Sequence, residues 1–173
     1  MSKNCKIILA DGGIALVSPE DADLSLLNWC RCSRNKMSNG ERREGYARTH
    51  LECVTHKGKR KQVFISLHVE VAERMGIKGS PDHRNGRTLD CRRENLREAT
   101  HNENMRNRAG WSKSGFKGVY SRNGKWEAYI LKKYLGTFNA PELAAIAYDE
   151  AAIKQFGKFA RLNFTEKQKW KAA

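Results

Sequence analysis

A chain of 173 residues can hold one ordinary domain or two small ones. Its 33 Lys+Arg against 19 Asp+Glu leave a formal net charge of +14, which points to a polyanionic partner, nucleic acid first. No apolar run reaches transmembrane length and the N-terminus lacks the charged-then-apolar profile of a signal peptide. The expectation is therefore a cytoplasmic protein that is not secreted, with no membrane partner and no organic cofactor.

The charge is uneven. Residues 1–45 are nearly balanced, whereas 46–110 and 111–173 carry most of the excess, so phosphate contacts are expected in the second and third segments. The five cysteines (Cys5, Cys30, Cys32, Cys53, Cys91) are odd in number and form no C-x-x-C pair. That argues against a zinc knuckle or a disulfide framework and for reduced thiols.

Residues 5–9 and 14–17 are short apolar runs on either side of Asp11-Gly12-Gly13, the pattern of a β-hairpin. Ser18-Pro19 offers a cap and a proline for the first turn of a short helix. Residues 31–45 read as a polar loop, in which Arg42 and Arg43 are solvated or share in DNA contacts. Segment 1–45 is thus a small β-rich scaffold.

Residues 46–49 and 62–65 suggest a second antiparallel pair with a turn at 55–59. Leu67, Val71 and Met75 fall at i, i+4 and i+8, predicting an amphipathic helix ended by Gly76. His68 lies on that helix. A satisfied structural histidine is the first reading, a substrate contact the second.

The stretch P-D-H-R-N-G-R-T-L-D-C-R-R-E-N-L-R-E-A-T-H-N-E-N, from Pro81, carries the chemistry. Residues 81–83 read as a short extended piece, 84–86 as a turn, 95–99 as a second short strand, and Thr100 as the cap of a helix bearing Asn102, Glu103, Asn104 and Asn107. Asp82 beside His83 suits a divalent metal and a water-activating base, and the amide of Asn104 offers a second oxygen. Alone, Asp82-His83 fits an ordinary polar turn. Any of Arg84, Arg87, Arg92, Arg93 and Arg97 could hold flanking phosphates.

D-H-x-x-G, then E-N-L-R-x-A-T, then N-x-x-N resembles the HNH endonuclease signature, in the form found in phage and intron-encoded homing endonucleases. The resemblance implies a ββα-metal (His-Me finger) fold over segment 46–110. Asp82 and Asn104 would be metal ligands, His83 the general base, and Asn95 the residue that steadies the loop and orients the His83 ring. Asn in place of the final His favours Mg²⁺ or Mn²⁺ over zinc, one ion per site.

In segment 111–173, residues 116–120, 126–131 and 132–138 read as three strands, with a hairpin turn at 122–125. Asn139 and Pro141 would open a helix that ends at Gly157. Ala144, Ala147, Tyr148, Ala151 and Ala152 share a face that can pack closely on the sheet. K-G-V-Y, G-K-W-E-A-Y-I, Y-L-G-T-F, E-L-A-A-I-A-Y-D-E-A-A and F-A-R-L-N-F resemble the plant Apetala/ethylene-response-factor DNA-binding domain. That family lays its sheet in the major groove of double-stranded DNA. The implied DNA-binding positions are Lys117, Tyr120, Arg122, Lys125, Tyr129, Lys132 and Tyr134, joined in the nuclease segment by Arg84 and Arg97. Trp126 looks like packing, and Lys167, Lys169 and Lys171 form a basic tail.

The fold class expected is α+β: a ββα-metal core after a β-rich N-terminal segment, then a three-stranded antiparallel sheet on one helix. The function expected is a metal-dependent DNA endonuclease of a phage-encoded homing type, working in a bacterial host. Its alternative is a DNA-binding regulator without cleavage. An RNA-directed protein ranks last, since the sheet lacks the aromatic pattern of an RNA-recognition motif.

Overall fold

The computed structural model describes residues 4–32, 44–56, 59–108 and 112–165, with side chains at 52–61 left aside. The loop around Arg42 and Arg43, the tip of the turn at 55–59 and the tail with Lys167, Lys169 and Lys171 lie outside the described residues. The chain divides into two compact units, residues 1–100 and 101–173. The fold is α+β, as expected.

The first unit opens with strands β1 (Cys5–Ile8) and β2 (Ile14–Val17), an antiparallel hairpin pairing Cys5 with Val17 and Ile8 with Ile14. Gly12 sits at φ 79, a left-handed turn position that glycine occupies without strain. Ile7, Leu9, Ala15 and Val17 alternate inward, the period-2 pattern of a half-buried pair. Pro19–Leu26 follows as a 3-10 helix. Ser18 makes no side-chain cap there; its Oγ accepts a hydrogen bond from the Arg93 backbone N–H at 3.0 Å. The same helix buries Asp21 completely, where it receives the Arg93 guanidinium at 2.8 and 2.9 Å.

A three-stranded sheet comes next, in the order β3 (Cys30–Cys32), β4 (Tyr46–His56), β5 (Lys59–Ser66). The sequence reading missed β3, a three-residue strand with no apolar pattern to mark it. Helix α1 (Leu67–Arg74) buries Leu67 and Val71 as the periodicity predicts, and Gly76 takes φ 76 just after it. Strands β6 (Ser80–His83) and β7 (Leu96–Ala99) then form a two-stranded antiparallel sheet.

One core joins these pieces: Ile7, Leu9, Val17 and Leu24 from the N-terminal segment pack with Trp29, Leu67, Val71, Leu89, Cys91 and Leu96. The hairpin is therefore part of the same hydrophobic body as the strands that carry Asp82 and His83. Trp29 is its largest fully buried side chain, and its indole N–H donates to the Leu24 carbonyl at 2.7 Å, so the ring is buried without an orphaned polar atom.

The second unit begins with the short helix α2 (His101–Arg106). Strands β8 (Val119–Arg122), β9 (Lys125–Ile130) and β10 (Lys133–Phe138) form an antiparallel sheet in the order β10-β9-β8. Helix α3 (Pro141–Phe156) lies on it through Ala144, Ala145, Tyr148 and Ala152. Its N-cap is Ala140, without a side-chain bond; Asn139, read as the cap, stands one residue too early. Trp126 packs beside this core. Close approach is enforced at Gly118 (φ 75), where a Cβ would meet the Tyr148 ring at 2.2 Å and the Tyr129 carbonyl at 2.6 Å. Asp149, fully buried on α3, accepts from the backbone N–H groups of Asn163 (2.8 Å) and Phe164 (2.9 Å) and pins the returning chain.

Candidate active site and nucleic-acid interface

The β6–β7 register sets Asp82 opposite Arg97 and His83 opposite Leu96. All four side chains are buried, Asp82 at 4% exposure, His83 at 6% and Arg97 at 8%. Cross-strand pairing makes Arg97 the neighbour of Asp82: its Nε and Nη2 donate to Asp82 Oδ2 at 2.8 and 2.7 Å. Both bonds fall on one carboxylate oxygen instead of one on each. Arg97, expected at an outer phosphate, is placed inside against the expected metal ligand.

The loop between the strands is held from three sides. Within it, the Asn95 amide donates to the Asp90 carbonyl (2.7 Å), and its Oδ1 accepts from the Asn85 backbone N–H (3.1 Å). Asp90 takes the Arg92 guanidinium on both oxygens at 2.7 Å and the Asn85 amide at 2.8 Å. Arg92 thereby holds the Asp90 carboxyl below its usual range, with Asn85 adding to it. From the hairpin, β2 grips the loop: Leu16 N–H donates to the Leu89 carbonyl and Cys91 N–H to the Leu16 carbonyl, each at 2.8 Å. From the segment just before β4, the Glu44 carboxylate accepts from the Thr88 backbone N–H at 2.8 Å. The N-terminal segment, read as a small β-rich scaffold, braces the loop that follows His83.

His83 ends β6 inside this frame. Burial pushes its pKa below the usual 6.5, against the opposing pull of Asp82, Asp90 and Glu44. Its Nε2 lies 4.0 Å from Cys91 Sγ, and burial lifts that thiol to about 12, so the sulfur is a neutral neighbour. Two rings flank the imidazole, His68 at 5.2 Å and Tyr46 at 6.1 Å between centroids, and these two lie 4.8 Å apart, tilted by 35°. The reading of His68 as a satisfied structural histidine does not hold at Nδ1, which is buried without a hydrogen-bond partner. Tyr46, Arg48, Asp90 and Cys91 were not singled out in the sequence. Only their place in three-dimensional packing marks them.

Of the arginines weighed for phosphates, Arg92 is taken by Asp90 and Glu94, Arg93 by Asp21 and Arg97 by Asp82. Arg84 and Arg87 are exposed on the turn after His83. Asn104 lies half-buried on α2 in the second unit. Among the described residues no group of three or more His, Cys, Asp or Glu stands ready to hold a metal. Asp82 is a hard oxygen donor, and the bonds from Arg97 converge on its Oδ2; such a donor fits a cation that keeps water and substrate oxygens in its shell.

The second unit presents a sheet face away from α3. Tyr120, Arg122, Glu127, Tyr129 and Tyr134 share it by register. Tyr129 makes ring contacts with both Tyr120 and Tyr134, at 6.0 and 5.5 Å, and about half of Tyr120 and Tyr134 is exposed. Lys125 and Lys132 are exposed at the two turns. Glu127, not noticed in the sequence, accepts from the Tyr129 hydroxyl at 2.9 Å and stands 3.8 Å from Arg122. Lys117 is half-buried, its ammonium donating to the carbonyls of Arg106 and Arg108. Burial lowers its pKa to about 8. The structure thus gives Lys117 a bracing position behind α2.

The first unit thus holds a buried Asp-His pair at the end of β6, and the second a three-stranded sheet on one helix. Residues 68–106 match the HNH endonuclease family model. The chain is 46% identical over 55 residues (28% of its length) to an ethylene-responsive transcription factor of Arabidopsis thaliana, and 47% identical over 60 residues (31%) to a dehydration-responsive element-binding protein of the same plant. The similarity spans 24% and 18% of those relatives' own lengths, a quarter or less. Among the described residues no helix is long and apolar enough to cross a membrane.

Proposed function

We propose that the chain is a metal-dependent DNA endonuclease of the homing type, with the second unit's sheet binding duplex DNA in the major groove. The observation that carries this reading is the buried Asp82-His83 pair at the end of β6, framed by the Asn95 network, inside the segment that matches the HNH endonuclease model. His83, kept neutral by burial, takes a proton from the attacking water. The water oxygen bonds to phosphorus in line as the bond to the 3′ oxygen breaks. Asn95 fixes the loop that fixes His83, and Arg84, exposed on the adjoining turn, holds a flanking phosphate. Asp82, with Asn104 by resemblance to the motif, would hold Mg²⁺ or Mn²⁺, which supplies charge neutralisation at the phosphorane and the leaving oxygen. Tyr120, Arg122, Lys125, Tyr129, Lys132 and Tyr134 hold the duplex, with Lys117 acting from behind.

The Asp82–Arg97 pair favours a second reading, a non-cleaving DNA-binding regulator, because the guanidinium already neutralises the carboxylate that a cation would use. End-labelled duplex carrying the flanks of the encoding gene separates the two. Discrete products with 5′-phosphate ends, formed with Mg²⁺ and abolished by EDTA, support the endonuclease. A retarded complex with no products under Mg²⁺ or Mn²⁺ supports the regulator.

A further inference from the structure

Among the described residues two buried side-chain nitrogens have no hydrogen-bond partner, Arg48 Nε and His68 Nδ1. Buried polar groups are nearly always paired, and each exception calls for a reason. The Arg48 charge acts on His68, and the His68 ring borders His83. Arg48 lies on β4 opposite Ser66, the residue just before α1, and His68 is the second residue of α1. Tyr46 and Arg48 are two apart on β4 and share a face, while Ala47 and Thr49 turn into the core. On that shared face the Tyr46 ring lies 4.8 Å from His68, tilted by 35°, and His68 sits 5.2 Å from His83. Three separate elements, β4, α1 and β6, therefore bring a guanidinium, two imidazoles and a phenol to one spot.

We propose that Arg48 and His68 form a phosphate-oxygen subsite beside His83, with Tyr46 as its wall, where the DNA strand to be cut seats its phosphodiester. This subsite rests on the endonuclease reading for its substrate but on the two unpartnered nitrogens for its existence. A half-buried guanidinium with an unsatisfied N–H is costly in the empty protein, and an anion oxygen relieves that cost. The His68 pKa is pushed down to about 3 by burial, with His83 and Arg48 adding to it. The ring is therefore neutral and contributes one N–H, leaving the charge to Arg48. The nearby acids are already engaged: Asp82 by Arg97, Asp90 by Arg92 and Glu44 by Thr88. Asp82 and Asp90 are thus each matched by a guanidinium, whereas Glu44 is held only by neutral donors of Thr88 and keeps its charge. The position also makes mechanistic sense, since a phosphate oxygen fixed here sets phosphorus within reach of a water held by His83.

Inorganic phosphate is the probe. In the full chain the imidazole nitrogens of His68 are followed by long-range proton–nitrogen correlation while phosphate replaces chloride at constant ionic strength. Saturable movement of the His68 signals, larger than at the exposed His50 and His101, is expected, and Arg48→Gln should abolish it. A His68 that moves no more than His50 and His101 in the parent chain overturns the subsite without any variant. The cleavage arm separates this idea from the parent reading. Arg48→Gln and His68→Gln should each slow single-turnover nicking at saturating chain by about 10²-fold, a larger loss than in duplex affinity, most of which the proposed function gives to the second unit. A parent chain that nicks, with both variants nicking at its rate, overturns the subsite and leaves the endonuclease standing. A chain that binds phosphate at His68 and never nicks leaves the subsite standing and removes the endonuclease.

Discussion

Replacing Arg97 by Met tests the tightest contact in the candidate active site. Two guanidinium nitrogens meet Asp82 Oδ2 at 2.8 and 2.7 Å, with both side chains under a tenth exposed. Met fills much of the arginine stem but leaves the carboxylate buried without its counter-charge. Breaking a buried pair from one side costs about 3–5 kcal/mol. For a domain whose whole stability is on the order of 5–15 kcal/mol, that is a large fraction. Removing both charges together, as Asp82→Asn with Arg97→Met, leaves no stranded ion, and the expected loss falls to about 1–2 kcal/mol. Native-state hydrogen exchange of the β6 and β7 amides in urea reads this in the first unit alone. The single substitution should lower their protection by about 10²- to 10⁴-fold. A further consequence follows for the cation. With the guanidinium gone, Mg²⁺ should raise the thermal midpoint of Arg97→Met more than that of the parent, through preferential binding to the folded state. Single and double substitutions that lose protection additively, with Arg97→Met costing under about 1 kcal/mol, would refute the buried pair as described.

Acid should weaken the first unit earlier than its carboxylates alone would allow. His68 titrates near 3 when folded against 6.5 ordinarily, so the unfolded chain takes the proton first and stability falls as pH drops through 6.5. By pH 5 the loss is about 2 kcal/mol, measured by urea unfolding at stepped pH, and His68→Gln should remove that part of the slope. Gly118→Ala should destabilise the second unit, because the added Cβ collides with the Tyr148 ring and the residue must hold φ 75; calorimetry should show a lowered transition there with the first unit unchanged. Arg122→Ala combined with Lys125→Ala should weaken duplex binding and flatten its dependence on log salt by about one to two units; an unchanged slope would take those side chains off the phosphates.

Much of the fold was legible because its signals are local. The hairpins at 5–17 and 119–130 announce themselves by glycine turns between apolar runs, and α1 and α3 by their spacing and their closing glycines. The elements that escaped have no such pattern. β3 is three residues, Cys30–Cys32, with no apolar alternation of their own, extended where they pair with β4. Ser18 and Asn139 carry cap chemistry, yet Ser18 is drawn off by the Arg93 backbone and Asn139 stands one residue before Ala140. In the site, Asp82, His83 and Asn95 were readable from a dense motif within fifteen residues of chain. Their partners were not. Arg97 looked like one surface arginine among five until the β6–β7 register set it opposite Asp82. Tyr46 and His68 come from other elements, and it is the packing of α1 on β4 that brings them to His83, with Arg48 beside His68. Glu127 shows the same limit on the sheet face, where one acid among aromatics and bases carries no sequence signature.

The most direct measurement is relaxation of supercoiled plasmid bearing the gene's flanking DNA, with Mg²⁺, by the parent chain and by His83→Ala. The expected result is open circles from the parent and none from His83→Ala, although both chains retard the same duplex equally. Open circles formed by His83→Ala at the parental rate would contradict the assignment of His83 as the base.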